Sequence, residues 1–547
     1  MFGVQGERMR PARRQMNGPS HPLTERVSVK SFSPFRTVPE LLGHRSANDP
    51  DRIAVMFEGE RVTYRELDQR AAAVQTWLES RGVDPGDKVA ILAVNSLEFL
   101  YAWFGIARAG AVGVPVNPSA IGEALRHNLE HSDAVGLVVD ALLLQHVRAL
   151  GDIHAIAWTV TIGEPIEGCT AITEVLQAPA AGSPVDVDGS DAMNIIYTSG
   201  TTGLPKGVVL SHTSYLNTGA FFAQYFNWTR DDVLHTCLPL FHCNAQQTTF
   251  MGGLHACAPI ALNGKFSLSN FFRWIQDSGA TVTNLLGAMV TLIAKLPERP
   301  DDSNNTLRLM IAGPTPEALY RPLEKRFGMQ IVEGFGLTET GTSCCLNPVD
   351  ATVPGTVGLP LTYTDMRVVD EHDIDVPDET PGQILTRSHI PFAFMTEYYK
   401  DSEKTAEAMS GGWFHTGDQG KRRTDGYFVF LDRMKDTIRR RGENISSFLI
   451  EKVVGEHPDI QEVVAVGVPS ELGEEDVKIV CIRQPGATIA AHDLSAWCEP
   501  RLGDFMRPRY IEFRESFPRT ETGRVQKLQV RAEGIGDSWD RDEWARR

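Results

Sequence analysis

Two apolar runs, residues 193–197 and 208–210, close on a segment of glycines, hydroxyls and one lysine: Tyr197-Thr198-Ser199-Gly200-Thr201-Thr202-Gly203-Leu204-Pro205-Lys206-Gly207-Val208. Glycines let backbone N–H groups converge on an anion, hydroxyls add donors, and a lysine brings a mobile positive charge, so this is the composition of a polyphosphate cradle. The P-loop of NTPases would need Gly-Lys followed by Ser or Thr at the start of a helix. Here Pro205 precedes Lys206, Gly207 follows it, and 208–210 reads as a strand. Helical pattern resumes only after Ser211 and Thr213, which predicts a helix over 215–226. The expected element is therefore strand, loop, strand, with the loop as a flap over a nucleotide triphosphate. A ligand-free Ser/Thr/Gly hairpin is the plain alternative. Three glycines, four hydroxyls and the Pro-Lys-Gly ending weigh against it.

At 547 residues the chain predicts two or more domains. A formal charge of −17 and a pI near 5.4 argue against a nucleic-acid partner, which would require a basic face. The eight cysteines are dispersed without a C-x-x-C pair, which suits a reducing cytoplasm, and the vicinal Cys344 and Cys345 read as buried packing thiols. Residues 1–34 lack the apolar core of a secretory signal and read as a disordered extension. The most apolar stretch, 89–116, is broken by Asn95, Glu98 and Arg108. It falls short of the ~20 apolar residues of a membrane span, so no integral membrane segment is expected.

Helical pattern over 64–81 alternates with short apolar runs at 88–93, 112–116 and 135–139, which reads as βαβ units. Alternation resumes at 281–286, 307–311 and 330–332. Beyond Asp432 the composition shifts to a basic run at 435–441, helices over 450–457 and 494–502, and strands over 463–468 and 478–483. The predicted class is α/β, with a large multi-subdomain N-terminal body of mixed and parallel sheets over 35–432. A small α+β C-terminal lid over 433–535 and a tail over 536–547 complete it.

Further chemistry gathers at Glu333-Gly334-Phe335-Gly336-Leu337-Thr338-Glu339-Thr340. A base stacked on Phe335, close approach over Gly334 and Gly336, and Mg²⁺ on Glu339 would suit a nucleotide site, where hard carboxylate oxygen and phosphate hold the ion. A glycine-containing turn with a solvated acid is the plain alternative. Asp418, in His415-Thr416-Gly417-Asp418, offers two oxygens to a cis-diol.

The cradle, Pro239-Leu240-Phe241-His242, the 333–340 segment, 415–418, Asp432-Arg433-Met434-Lys435-Asp436 with Gly442-Glu443-Asn444, and Pro518-Arg519-Thr520 to Lys527 stand in one order along the chain. Together they resemble the motifs of the adenylate-forming superfamily of acyl-CoA synthetases, peptide-synthetase adenylation domains and luciferases. The resemblance implies acid plus ATP giving an acyl-adenylate and pyrophosphate, then acyl transfer, usually to coenzyme A. It puts the phosphates on Thr198, Ser199, Gly200, Thr201, Thr202, Gly203 and Lys206, with Mg²⁺ on Glu339 and Thr202. Adenine would lie along Gly313, Pro314, Glu333, Gly334, Phe335 and Gly336, the ribose on Asp418 and Arg433, and the carboxylate near Thr338. It makes Lys435 a hinge, with Arg439, Gly442 and Glu443 closing the thiol side. His242 becomes a gate beside an acid pocket of Asn244, Gln246, Leu286, Gly287, Ala288 and Met289, where Gly287 and Ala288 leave room and Gln246 offers a polar contact.

One departure stands out. Relatives carry a catalytic lysine where this chain has Arg524 in Thr522-Gly523-Arg524, so either Arg524 or Lys527 takes that role. The leading expectation is an ATP-dependent, AMP-forming acid:CoA ligase similar to carnitine/crotonobetaine and medium-to-long-chain acyl-CoA ligases, cytoplasmic, acting on a small-molecule acid, with homodimerisation left open. The alternatives are adenylation with an unusual acid or acceptor, such as nitrite or an amine, and a silent nucleotide-binding homologue.

Overall fold

The computed structural model describes residues 31–153, 155–180, 182–198, 205–434, 438–440, 443–445, 447–470, 475–502, 506–519 and 525–544. The expected extension over 1–34 lies almost wholly outside the described residues. Ordered packing already begins at Phe32, whose ring meets Phe221 and Tyr363 and whose N–H donates to Asn217.

Two large sheets build the body. One orders its strands Glu397–Tyr398, Lys206–Ser211, Ala192–Thr198, Val112–Val116, Lys88–Leu92, Ala134–Asp140, Trp158–Ile162 and Thr170–Ala171. From Ala192–Thr198 to Thr170–Ala171 the pairings are parallel, whereas Lys206–Ser211 runs antiparallel to both of its neighbours. The second sheet is parallel from Gln330–Val332 through Leu309–Gly313, Val282–Leu286, Leu234–Thr236 and Ile260–Leu262 to Ile53–Phe57, and ends in an antiparallel hairpin with Glu60–Thr63. Their strands read as apolar runs because helices bury both faces.

Local chemistry sets the helix starts. The Thr63 hydroxyl accepts from Glu66 N–H while the Glu66 carboxylate accepts from Thr63 N–H, closing a capping box on Tyr64–Ser80. Ser96 caps Leu97–Arg108 and Ser211 caps His212–Tyr225. The apolar stretch 89–116 is thus a strand, a helix buried within the core, and a strand. Its Arg108 is held by Asp68 at 2.6 Å. Among the described residues no helix is long and apolar enough to cross a membrane.

A four-stranded antiparallel sheet, Thr364–Val369, Gly382–Ser388, Phe414–Arg422 and Phe428–Arg433, ends the body. Its last strand runs to Arg433, which pairs in register with Asp418. The small domain packs helices Ser447–Gly455, Ala491–Cys498 and Lys527–Ala532 around a sheet of Ile460–Pro469, Glu475–Arg483, Tyr510–Phe513 and Trp539–Asp540. Trp539–Asp540 lies in the segment expected as a tail. Pairing with Tyr510–Phe513 and the Arg509–Asp540 ion pair at 3.2 Å make it the edge of the lid sheet.

Candidate active site

The ends of the two large sheets, the antiparallel sheet and the lid enclose a cleft of about 2140 Å³. The cradle is a hairpin: Thr198 pairs with Lys206 and Tyr197 with Gly207, so both arms are strands and the loop spans them. Ser199, Gly200, Thr201, Thr202 and Gly203 lie outside the described residues. At the base of the loop, Lys206 Nζ stands 4.0 Å over the Tyr398 ring, and the Tyr398 hydroxyl donates to Glu339 Oε1 at 2.9 Å. One tyrosine thus joins the loop lysine to the buried acid of the 333–340 segment, and nothing in the sequence pattern had marked it.

That segment follows the strand Gln330–Val332. Glu339 is 8% exposed, and its backbone carbonyl accepts from Met395 N–H. Thr338 Oγ1 lies 3.8 Å from Cys243 Sγ, and burial pushes that thiol up to about 12. Glu333 accepts from Thr315 N–H at 3.0 Å and from the Tyr320 hydroxyl at 2.8 Å, both on Oε2, and burial raises its carboxyl to about 7. Phe335 is stacked on Phe430 with centroids 5.8 Å apart, and Phe430 meets Phe448 of the lid edge-on. Close approach at the glycines is to the protein itself: a Cβ on Gly336 would lie 2.1 Å from Thr342 O, and one on Gly334 2.6 Å from Cys345 O. Cys344 and Cys345 are buried behind this turn, as expected of packing thiols.

Asp418 lies buried in the Phe414–Arg422 strand opposite Arg433 and lines the same cleft, as do Gly313 and Pro314. The acid-pocket residues divide. His242, Asn244, Leu286 and Gly287 line the cleft, whereas Gln246 does not. Its amide is spent inside the core, with Nε2 donating to Leu240 O at 2.6 Å and Oε1 accepting from the Tyr215 hydroxyl at 2.6 Å. The expected polar contact is therefore a core hydrogen bond. Met289 packs into the hydrophobic core beside the cleft. Gly287 leaves no room either, since a Cβ there would lie 1.8 Å from Pro314 O. Its lack of a side chain permits helix Gly287–Ala294 to start against Pro314.

Two histidines on one face of helix Gly122–His131 were also missed, their i, i+4 spacing being their only signal. His127 Nε2 pairs with Pro205 O at 2.9 Å and His131 Nδ1 with the Tyr197 hydroxyl at 2.8 Å, so the pair clasps both arms of the cradle. Burial, with His127 beside it, lowers the pKa of His131 and keeps it neutral. Lys527 stands just behind the cleft lining: its Nζ contacts Ser447 Oγ at 2.6 Å and Glu451, which lines the cleft, at 2.9 Å. Arg524, Lys435 and Gly442 lie outside the described residues, as do the side chains of Ala288, Arg433, Arg439 and Glu443.

Residues 42–399 match the AMP-binding enzyme family, and residues 449–524 match the AMP-binding enzyme C-terminal domain. The chain belongs to the AMP-binding enzyme family. The crotonobetaine/carnitine–CoA ligase of Escherichia coli O157:H7 is 30% identical over 483 residues, covering 86% of this chain and 93% of that protein. ATP-bound MatB from Rhodopseudomonas palustris is 28% identical, with a TM-score of 0.82 over 90% of this chain and 98% of its own. The anthranilate CoA ligase AuaEII in complex with anthranoyl-AMP shares the fold, with a TM-score of 0.84 at 24% identity over 91% and 97% of the two chains. This AMP-binding enzyme is an ATP-dependent, AMP-forming acid:CoA ligase. The nitrite, amine and silent-homologue readings gain no support from these relatives.

Proposed function

We propose that Lys206, Thr338, Glu339 and Arg524 form the adenylating centre of this ligase, with Phe335 under the adenine and Asp418 with Arg433 on the ribose. The convergence of Lys206, Tyr398, Glu339 and Thr338 at one end of a cleft that also holds Phe335 and Asp418 carries the reading. The donors fit Mg²⁺. Glu339 keeps Oε2 without a protein partner among the described residues, and Mg²⁺ typically takes one or two carboxylates plus phosphates and water. Bound there, Mg²⁺ neutralises phosphate charge.

Thr338 orients the acid carboxylate in line with the α-phosphorus. Lys206, held over Tyr398, and Arg524 stabilise charge on the phosphates as pyrophosphate leaves. The lid then turns at Lys435, bringing Arg439, Gly442 and Glu443 to the thiol path, and the coenzyme A sulfur displaces AMP from the acyl carbon. No side chain need act as a nucleophile, and the Cys243 thiol at about 12 stays protonated. Body and lid would meet just after Arg433. Eight free cysteines support work in a reducing cytoplasm.

Isotope exchange between pyrophosphate and ATP, with thioester formation followed in parallel across an acid panel that includes crotonobetaine and carnitine, tests the assignment. Exchange and thioester are expected in the wild type, and both are lost in Glu339→Gln. Undiminished exchange in Lys206→Ala and Glu339→Gln would remove these residues from the centre.

A further inference from the structure

The acyl end of the cleft is polar where it begins. Cys243 Sγ touches the Thr338 hydroxyl that receives the carboxylate in the proposed centre, so the next residue, Asn244, stands one position from the carboxylate end. Asn244 Oδ1 accepts from Asn284 Nδ2, joining the head of the helix Asn244–Met251 to the strand Val282–Leu286. Both asparagines line the cleft, and neither side chain has another hydrogen-bond partner among the described residues. After the mutual bond Asn244 keeps both N–H donors of its Nδ2, and Asn284 keeps one N–H and its Oδ1 carbonyl. The pair therefore presents N–H donors and a carbonyl acceptor to whatever lies beside them.

An alkyl chain laid against these amides would cover both groups and satisfy neither. A hydroxyl or carbonyl would satisfy them. Beside them Gly287 packs against Pro314 O, and the cleft continues along Thr291, Ala294 and Lys295 past it.

We propose that this ligase selects an acid bearing a hydroxyl, oxo or amide group a few bonds from its carboxylate, with the Asn244–Asn284 pair as the specificity element. The inference rests on the acid:CoA ligase activity and on Thr338 as the carboxylate end. A site built to hydrogen-bond a substrate group rejects the analogue that lacks it, so the preference is expected at about 10- to 100-fold in kcat/KM.

The test uses the full chain with 2-, 3- and 4-hydroxybutanoate, 3-oxobutanoate, butanoate and octanoate, reading pyrophosphate release and CoA thioester. At least one oxygenated acid is expected to exceed butanoate by about tenfold or more. Asn284→Leu is expected to abolish or invert that preference while KM for ATP stays put, and Asn284→Ser to restore part of it. If Asn284→Leu does not fold, Asn244→Ser and the wild-type ranking decide. Butanoate or octanoate used as well as every oxygenated acid would overturn the inference and leave the ligase activity standing. No pyrophosphate release with any acid would overturn both.

Discussion

Tyr398 is expected to couple the loop lysine to the metal-side acid, and Tyr398→Phe isolates the link. The substitution keeps the ring 4.0 Å beneath Lys206 Nζ and deletes the 2.9 Å hydrogen bond to Glu339 Oε1. A hydrogen bond to an ionised group contributes about 1.5–3 kcal/mol. Glu339 is 8% exposed, so little water stands ready to replace the lost donor. The expected fall in kcat/KM for adenylate formation is roughly tenfold to a hundredfold, at about 1.4 kcal/mol per decade. Tyr398→Leu also removes the cation–π contact, about 0.5–2 kcal/mol, for a further loss of roughly two- to thirtyfold. Exchange of labelled pyrophosphate into ATP at saturating acid, repeated across a Mg²⁺ titration, reads both effects without the thioester step. A cycle with Glu339→Gln supplies the decisive number. Residues in direct contact are expected to couple by about 1 kcal/mol or more, whereas independent sites add to within about 0.5 kcal/mol. Additivity of Tyr398→Phe and Glu339→Gln would refute the link, and so would an unchanged Mg²⁺ dependence.

Burial raises the Glu333 carboxyl to about 7, above its ordinary value near 4.3. A raised folded-state pKa gives stability that is full below the unfolded value and lost as pH climbs through 7. Glu333→Gln should therefore flatten the decline in unfolding free energy between about pH 4.5 and 7, by on the order of 3 kcal/mol in denaturant melts. His127→Ala, which frees Pro205 O, is expected to raise KM for ATP about fivefold, the worth of one hydrogen bond, and to spare thioester formation from supplied acyl-adenylate. Arg524→Ala should cut pyrophosphate exchange by about a hundredfold or more. Lys527→Ala should instead lower lid stability by about 1 kcal/mol, with exchange kept to within severalfold.

The fold was legible wherever local pattern and tertiary role agree. Val112–Val116 and Gln330–Val332 appear at their expected bounds because short apolar runs between turns have few other uses in a sheet covered on both faces. The cradle was read correctly as strand, loop, strand because the apolar β-branched run Val208-Val209 follows the lysine where a P-loop would begin its helix. Boundaries failed where pairing came from far away, as at Trp539–Asp540, whose edge position depends on Tyr510–Phe513. Site residues failed for the same reason. Gln246 looks like a pocket residue in the sequence, and only Tyr215 and Leu240 O turn it inward. Tyr398 carries no local mark, and the His127–His131 pair only its i, i+4 spacing. Their roles exist only after the Glu397–Tyr398 strand docks on Lys206–Ser211 and helix Gly122–His131 lies beside the cradle. Gly334, Gly336 and Gly287 were visible, yet for the wrong cause: a ligand and the chain's own backbone demand the same missing Cβ.

The exchange of the family lysine for Arg524 has a physical logic that involves Lys527. Lys527 bridges helix Lys527–Ala532 to helix Ser447–Gly455 through Ser447 and Glu451, with side chains 22% and 18% exposed in the ion pair. Glu451 in turn accepts from Ala465 N–H at 2.8 Å, so the pair also ties the lid sheet to its helix. Drawing Lys527 to a phosphate would leave Glu451 partly buried without its cation, a cost that falls on the lid at the moment it must move as one body. A guanidinium makes no such demand on Glu451. It keeps its charge at any working pH, and its planar fork matches two oxygens of a phosphate at once. In the proposed centre Lys527 would hold the lid together while Arg524 serves the reaction, so that the two functions would fall on separate cations.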